Sequence, residues 1–197
     1  LNMGVHSVLF LLLLFLSTVH SFNITTFRRI MFEHHNFLRS LHDAPPLTVD
    51  KDLETSAMAW ARHLGKISND KCLYHSQAGG ENIYFIWSTS EVNEEELARN
   101  SMKAFYEEIK YYDYNRPQLQ LRAAHFTNLV WKSVEKMGVG LYMGLYTNHH
   151  GACNVVASKE RPATGYMVVV HESPAGNIMT SEEFESNVAR PNRVFNF

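Results

Sequence analysis

No surplus of basic residues marks this chain, and no lysine or arginine run, internal repeat or low-complexity tract occurs in it. Its 18 Lys+Arg stand against 20 Asp+Glu, for a formal net charge of -2. Without a cationic surplus there is little to displace counterions from a phosphate backbone, so the composition argues against DNA or RNA as a partner. The longest apolar run, Val8 to Val19, falls short of the roughly twenty residues needed to span a bilayer. The His-Glu-x-x-His helix of zinc proteases and the Gly-x-Ser-x-Gly elbow of serine hydrolases are also missing. Cysteine is scarce, with Cys72 and Cys153 alone.

What is present begins with the amino terminus. The leucine-rich run ends at Val19-His20-Ser21, small residues of the kind a signal peptidase accepts, so residues 1–21 read as a signal peptide cleaved after Ser21. Leu1-Asn2 ahead of Met3 suggests initiation at Met3. Met3-Gly4 would then open a myristoylation motif, but Val8 stands where that motif wants Ser or Thr. Secretion is therefore the expected fate. Asn23-Ile24-Thr25 is an N-glycosylation sequon just past the cleavage point. An even cysteine count in an oxidising compartment favours a Cys72–Cys153 bridge over two buried thiols.

With 197 residues and 45% hydrophobic content, the chain can form one domain with a core, over residues 22–179. Phe27, Ile30, Met31, His34, Leu38 and Leu41 recur at helical spacing, giving a first helix over about 26–41 that ends before Pro45-Pro46. Asp50 is placed to cap a second helix, with Gly65 as its stop. A third begins near Asn93, with Glu94, Glu95 and Glu96 in its first turn, where the helix dipole favours them. Val139 to Tyr146, Ala152 to Ser158 and Gly165 to His171 read as strands. The expected architecture is α+β, a three-layer α-β-α sandwich around an antiparallel sheet. Residues 180–197 read as a polar tail without its own core.

Two strings carry the chemistry: Gly80-Glu81-Asn82, and Ala124-His125-Phe126-Thr127-Asn128-Leu129-Val130-Trp131. With His35-Asn36-Phe37-Leu38-Arg39, His75-Ser76, Met137-Gly138-Val139-Gly140 and Ser173-Pro174-Ala175-Gly176-Asn177, they make the chain resemble the CAP superfamily of cysteine-rich secretory, venom allergen and plant pathogenesis-related proteins. Secreted relatives carry several disulfides. In its few cysteines the core looks closest to the Golgi-associated branch. The resemblance implies the same three-layer fold and a central cleft in which two histidines and two glutamates meet, here His75, Glu81, Glu108 and His125. It also implies divalent metal such as Zn²⁺ in that cleft, held chiefly by the histidines.

The residues support part of this on their own. Leu97, Ser101, Ala104 and Glu108 fall on one helical stripe, so Glu108 is expected to face apolar surroundings and to need a partner, with His75 and His125 the candidates. Two neutral imidazoles with carboxylates nearby suit Zn²⁺ with room for water. A self-satisfied polar network without metal is the competing structural reading. His149-His150 and His171 read as solvated surface histidines.

For function the resemblance implies a carrier of sterol or fatty acid, or an extracellular effector acting on a protein receptor, with peripheral membrane contact within its range. The aromatic segment holding Phe105, Tyr111, Tyr112 and Tyr114 matches the family region that contacts lipid. No catalytic residue is assigned. A zinc-dependent hydrolase in the same cleft and a non-catalytic interaction module with a structural tetrad are the two alternatives.

Overall fold

The computed structural model describes residues 21–68, 71–77, 79–147, 163–195 and 197. Helix α1 spans Ile24–Ser40, with the Asn23 side chain accepting a 3.0 Å hydrogen bond from the Thr26 amide. Helix α2 spans Lys51–Ile67, capped by Asp50, whose carboxylate accepts from the amides of Asp52 and Leu53. Gly65 does not end α2 as its sequence position suggested. It lies inside the helix, because a β-carbon there would sit 1.9 Å from the Tyr142 ring packed across it. Helix α3 spans Glu94–Tyr106 with Asn93 as its cap. At Glu107 the chain tightens into a 3₁₀ turn over Glu107–Tyr111. Helix α4 is the short Ala124–Leu129.

Four strands form one sheet among the described residues: β1 (Thr48–Val49), β2 (Gly80–Ser88), β3 (Lys136–Tyr146) and β4 (Ala163–Ser173), in the order β1-β3-β4-β2. Three strands are antiparallel, while the two-residue β1 pairs parallel to β3. The expected strand over Ala152 to Ser158 lies outside the described residues. β4 is buried on both faces, which explains its unbroken Tyr-Met-Val-Val-Val run. Tyr166, Val168 and Val170 join Phe27, Met31, Leu97 and Met102 of α1 and α3 in one core. Met167 and Val169 meet Ala57, Ala61 and Leu64 of α2 in a second. The sheet is therefore the middle layer of an α-β-α sandwich, as the sequence led one to expect.

Residues 180–197 are not a free tail. Helix α5 (Ser181–Asn187) places Phe184 at 0% exposure, edge-on to Trp131 at 4.9 Å. Beyond it, the Asn192 amide donates to the Leu41 carbonyl at 2.7 Å and Phe195 packs on Phe37. Phe184 and Val188, one turn apart and both buried, form a small apolar stripe in an otherwise polar stretch, which composition alone hides. Phe184→Ala should cost about 3–5 kcal/mol in urea unfolding, the usual toll of a buried Phe. A loss below about 0.5 kcal/mol, normal for an exposed position, would restore the tail reading.

Candidate functional site

The site is built around the first residues of edge strand β2. Side chains alternate along a strand, so Glu81 shares the α2-facing side with Ile83 and Phe85, which pack in the second core, and Asn82 faces the other layer. Glu81 is 8% exposed, and a carboxylate there must be satisfied. One oxygen, Oε1, accepts from His75 Nδ1 at 2.7 Å and from the Ser76 amide at 3.0 Å. The other, Oε2, lies 2.9 Å from His171 Nε2. Burial is the strongest single influence and acts to raise the Glu81 pKa, but the hydrogen bonds from His171, His75 and Ser76 overcome it and hold the group near 2. His75 moves the opposite way: its bond to Glu81 raises its pKa against the effect of burial.

The second pair sits across β2. Glu108 Oε1 meets His125 Nδ1 at 2.7 Å, and Oε2 accepts from the backbone amides of His125 at 2.9 Å and Phe126 at 3.4 Å. Glu108 thus satisfies the start of α4, which has no capping side chain of its own. The His125 ring stacks on Phe105 at 5.3 Å. The helical stripe misplaces the surroundings of Glu108: Ala104 is exposed, and Glu108 reaches α4 from the 3₁₀ turn rather than from α3. The Asn82 amide ties the two pairs together by donating to the His125 carbonyl at 3.0 Å.

Each histidine therefore spends Nδ1 on a carboxylate, and neither Nε2 has a hydrogen bond among the described residues. The four carboxylate oxygens are all engaged. No set of three or more His, Cys, Asp or Glu converges to hold a metal among the described residues. Glu81 and Glu108 stand behind His75 and His125 in the position from which a carboxylate orients a ring at metal sites.

Other motif residues hold the frame. Buried His35 and Arg39 lie one turn apart on α1. Arg39 donates to the carbonyls of Pro45, Leu129, Trp131, Lys132 and Val134, and His35 Nε2 meets Glu172 at 3.1 Å. Burial lowers the Arg39 pKa to about 10, opposed by the nearby Glu172. Asn128 joins Glu172 to Asn82. Asn177, at φ 53°, bonds Thr127 and the Ala124 carbonyl, pinning α4.

His171 is a correction: at 2% exposure it is a buried partner of Glu81 and of Ser56, whose hydroxyl lies 2.8 Å from His171 Nδ1. Neither role is visible in sequence, because Ser56 and Glu81 lie far along the chain from it. His149, His150 and Cys153 fall outside the described residues, and with Cys153 the expected Cys72–Cys153 bridge. Asn23 is exposed and serves as the α1 cap. The four aromatic candidates do not line one groove. Phe105 and Tyr112 are core residues, and Tyr114 packs on Tyr112 under Arg190. Tyr111 is exposed beneath Arg122.

The depressed Glu81 pKa gives an acid signature. A folded value near 2 against the ordinary 4.5 means stability is present above pH 4.5 and drains as pH falls toward 2, by on the order of 3 kcal/mol. The raised His75 pKa contributes below its ordinary 6.5 and fades as pH rises through its folded value. Urea unfolding between about pH 5 and pH 2.5 should fall much more steeply in the wild type than in Glu81→Gln. Equal slopes would show that Glu81 gains nothing from its partners.

Known proteins show the same arrangement of chain and fold. Residues 32–157 match the profile of the cysteine-rich secretory protein family (CAP). The human Golgi-associated plant pathogenesis-related protein 1 is 30% identical over 170 residues, covering 85% of this chain and 95% of that one. Protein PRY2 of Saccharomyces cerevisiae is 35% identical over 117 residues, 58% of this chain but 32% of PRY2. Among solved structures, MpPR-1i superposes with a TM-score of 0.55 at 16% identity, over 87% of this chain and all of that one (100%). Hookworm platelet inhibitor gives 0.53 at 17% identity, over 79% of this chain and 72% of that one. The chain belongs to the cysteine-rich secretory protein (CAP) family.

Proposed function

We propose that this chain is a secreted, non-catalytic binding protein with two separate sites, a two-histidine metal cleft and a cavity for a sterol or fatty acid. The observation that carries the non-catalytic part is the engagement of both carboxylates. A hydrolase that used Glu81 or Glu108 as its base would need one of them free to take a proton from metal-bound water, whereas both spend every oxygen on imidazole or amide hydrogen bonds. When bound, a Zn²⁺-like ion would supply Lewis acidity and a fixed charge. His75 and His125 would hold it through Nε2, with Glu81 and Glu108 fixing the ring tautomers through Nδ1.

The lipid reading is supported by a cavity of ≈ 810 Å³ in which apolar Phe22, Ile30, Val92, Met143 and Tyr166 stand beside a polar rim that includes Glu91, Glu94 and Glu95, within the range of small-molecule pockets, about 300–1,000 Å³. Arg29 also lines it, paired with Glu33 at 2.7 Å, so a neutral sterol suits this acidic rim better than a fatty-acid carboxylate. None of these residues belongs to the metal cleft, so the two sites should act independently. Secretion rests on the apolar leader and on the exposed sequon at Asn23. A Cys72–Cys153 bridge fits the same compartment, and non-reducing peptide mapping of secreted protein should recover the two as one joined pair.

Titration with a fluorescent sterol and a fluorescent fatty acid tests the function. Binding of micromolar order or tighter is expected, unchanged in Glu81→Gln and lost in Thr26→Trp, which fills the cavity from the half-buried Thr26 position. Metal-dependent esterase or peptidase activity that disappears in both Glu81→Gln and Glu108→Gln would establish the hydrolase instead. Absence of lipid binding and of activity together would leave an interaction module.

A further inference from the structure

We propose that His171 positions the His75 ring, acting through Glu81 from the interior of the protein. The inference rests on the reading of His75 as a metal ligand, but its geometry stands apart from any metal. Four side chains form one line: Ser56 Oγ lies 2.8 Å from His171 Nδ1, His171 Nε2 lies 2.9 Å from Glu81 Oε2, and Glu81 Oε1 lies 2.7 Å from His75 Nδ1. Glu81 is an acceptor at both oxygens, so each histidine must present an N–H to it. His75 is thereby held as the Nδ1–H tautomer with its lone pair on Nε2. In the neutral ring, His171 Nδ1 then accepts the Ser56 hydroxyl.

The two ends of this line differ in exposure. The His75 side chain is 61% exposed, while those of Glu81 and His171 are each 2% exposed. An imidazole in water turns freely unless something rigid holds it. Glu81 can hold it only if its own carboxylate is fixed; the Ser76 amide ties Oε1, and Oε2 on the inner side needs a partner of its own. The other histidine shows what is needed. There the second oxygen of Glu108 is pinned by two backbone amides of α4. No helix start lies behind Glu81, and His171 pins its second oxygen instead.

The fold brings the parts together. His171 is the register partner of Glu81 across β2 and β4, and of Gly138 across β3 and β4. A β-carbon on Gly138 would lie 2.1 Å from the Glu54 amide nitrogen, so the glycine lets α2 press onto the sheet and carry Ser56 to His171. Three elements therefore meet at one buried imidazole, and a polar group placed there needs these partners. A side chain without a donor at this position would take away the partner of Glu81 Oε2.

Nitrogen-15 imidazole NMR of the metal-free protein, with zinc calorimetry on the same samples, tests this. Wild-type His75 should appear as the Nδ1–H tautomer. In His171→Leu it should become a tautomer mixture, with zinc affinity lower by about 10–100-fold, the usual cost of losing an orienting partner. His171→Gln keeps an N–H donor toward Glu81 and should return affinity to within about threefold of wild type. A purely structural role would lower the melting temperature of both variants without changing the His75 tautomer. An unchanged tautomer and unchanged zinc affinity in His171→Leu would overturn the proposal. Should that variant fail to fold, Ser56→Ala, at an exposed helix position, must shift the tautomer and weaken zinc in the same direction, and no change there overturns it equally. Wild-type protein that binds no zinc would remove the metal reading, while the tautomer measurement would still decide whether His171 governs His75.

Discussion

Arg39→Met should destabilise the protein by about 3–5 kcal/mol, the range for breaking a buried charged network by removing one partner. Methionine approximates the volume of the arginine stem, so little of the loss is cavity. It comes from five hydrogen bonds, to Pro45, Leu129, Trp131, Lys132 and Val134, each of which loses the guanidinium, and from the nearby Glu172 carboxylate, 1% exposed, which would lose a cation. Arg39→Lys should recover little, because one ammonium cannot reproduce a planar fork of donors. The segment after α4 should loosen most, since Arg39 is what gathers its carbonyls. Amide hydrogen exchange should speed up over residues 129–134 in both variants. A loss below about 1 kcal/mol with unchanged exchange would mean these bonds are replaced by water at no net cost.

That network also shows how much of the fold was legible. Helices α1 to α3 announced themselves by period and by Asp50 and Asn93, whose caps are local chemistry that a reader of the chain can see. Strands β3 and β4 were visible because β-formers run unbroken there. β2 was not read as a strand, although it carries Glu81, because its Gly-Glu-Asn start looks like a loop and its pairing with β4 involves residues far away in the chain. α4 is six residues long, too short for a period to show. It is held by Glu108 and Asn177 rather than by propensity. α5 was hidden by the polar surface around Phe184, the one buried apolar side chain within it.

The site divides the same way. His75, Glu81, Glu108 and His125 were found through motifs, and the structure pairs them as His75 with Glu81 and His125 with Glu108. What motifs do not convey is which atom each group spends on its neighbour, and that decides ligand from support. His171 was misread because a strand-end histidine is ordinarily solvated. Its burial follows from the register of β4 with β2 and from a serine on α2, neither of which has a local signal. The aromatic candidates failed to converge for a related reason: Phe105 and Tyr112 are already committed to the core, where His125, Phe126 and Phe184 pack against them.

The largest functional effect expected concerns metal. A ligand that binds the folded state alone raises stability by RT ln(1 + [L]/Kd), about 2.7 kcal/mol at a hundredfold excess over Kd. Zinc should therefore raise the melting temperature of the wild type by several degrees, on the order of the shift that 2–3 kcal/mol produces in a domain of this size. His75→Ala and His125→Ala should each remove most of that shift, since a two-imidazole site left with one ligand keeps little affinity. Glu81→Gln and Glu108→Gln should weaken zinc without abolishing it, because the amide oxygen can still accept from Nδ1 while contributing no charge. Direct coordination by the carboxylates would instead make the glutamine variants as damaging as the alanine ones.

Isothermal titration of Zn²⁺ into wild type, the His75→Ala/His125→Ala double variant and the Glu81→Gln/Glu108→Gln double variant tests the two-histidine cleft most directly. One zinc per chain is expected in the wild type, none in the histidine variant, and one of lower affinity in the glutamine variant. Zinc bound with wild-type affinity by the histidine double variant would contradict the account.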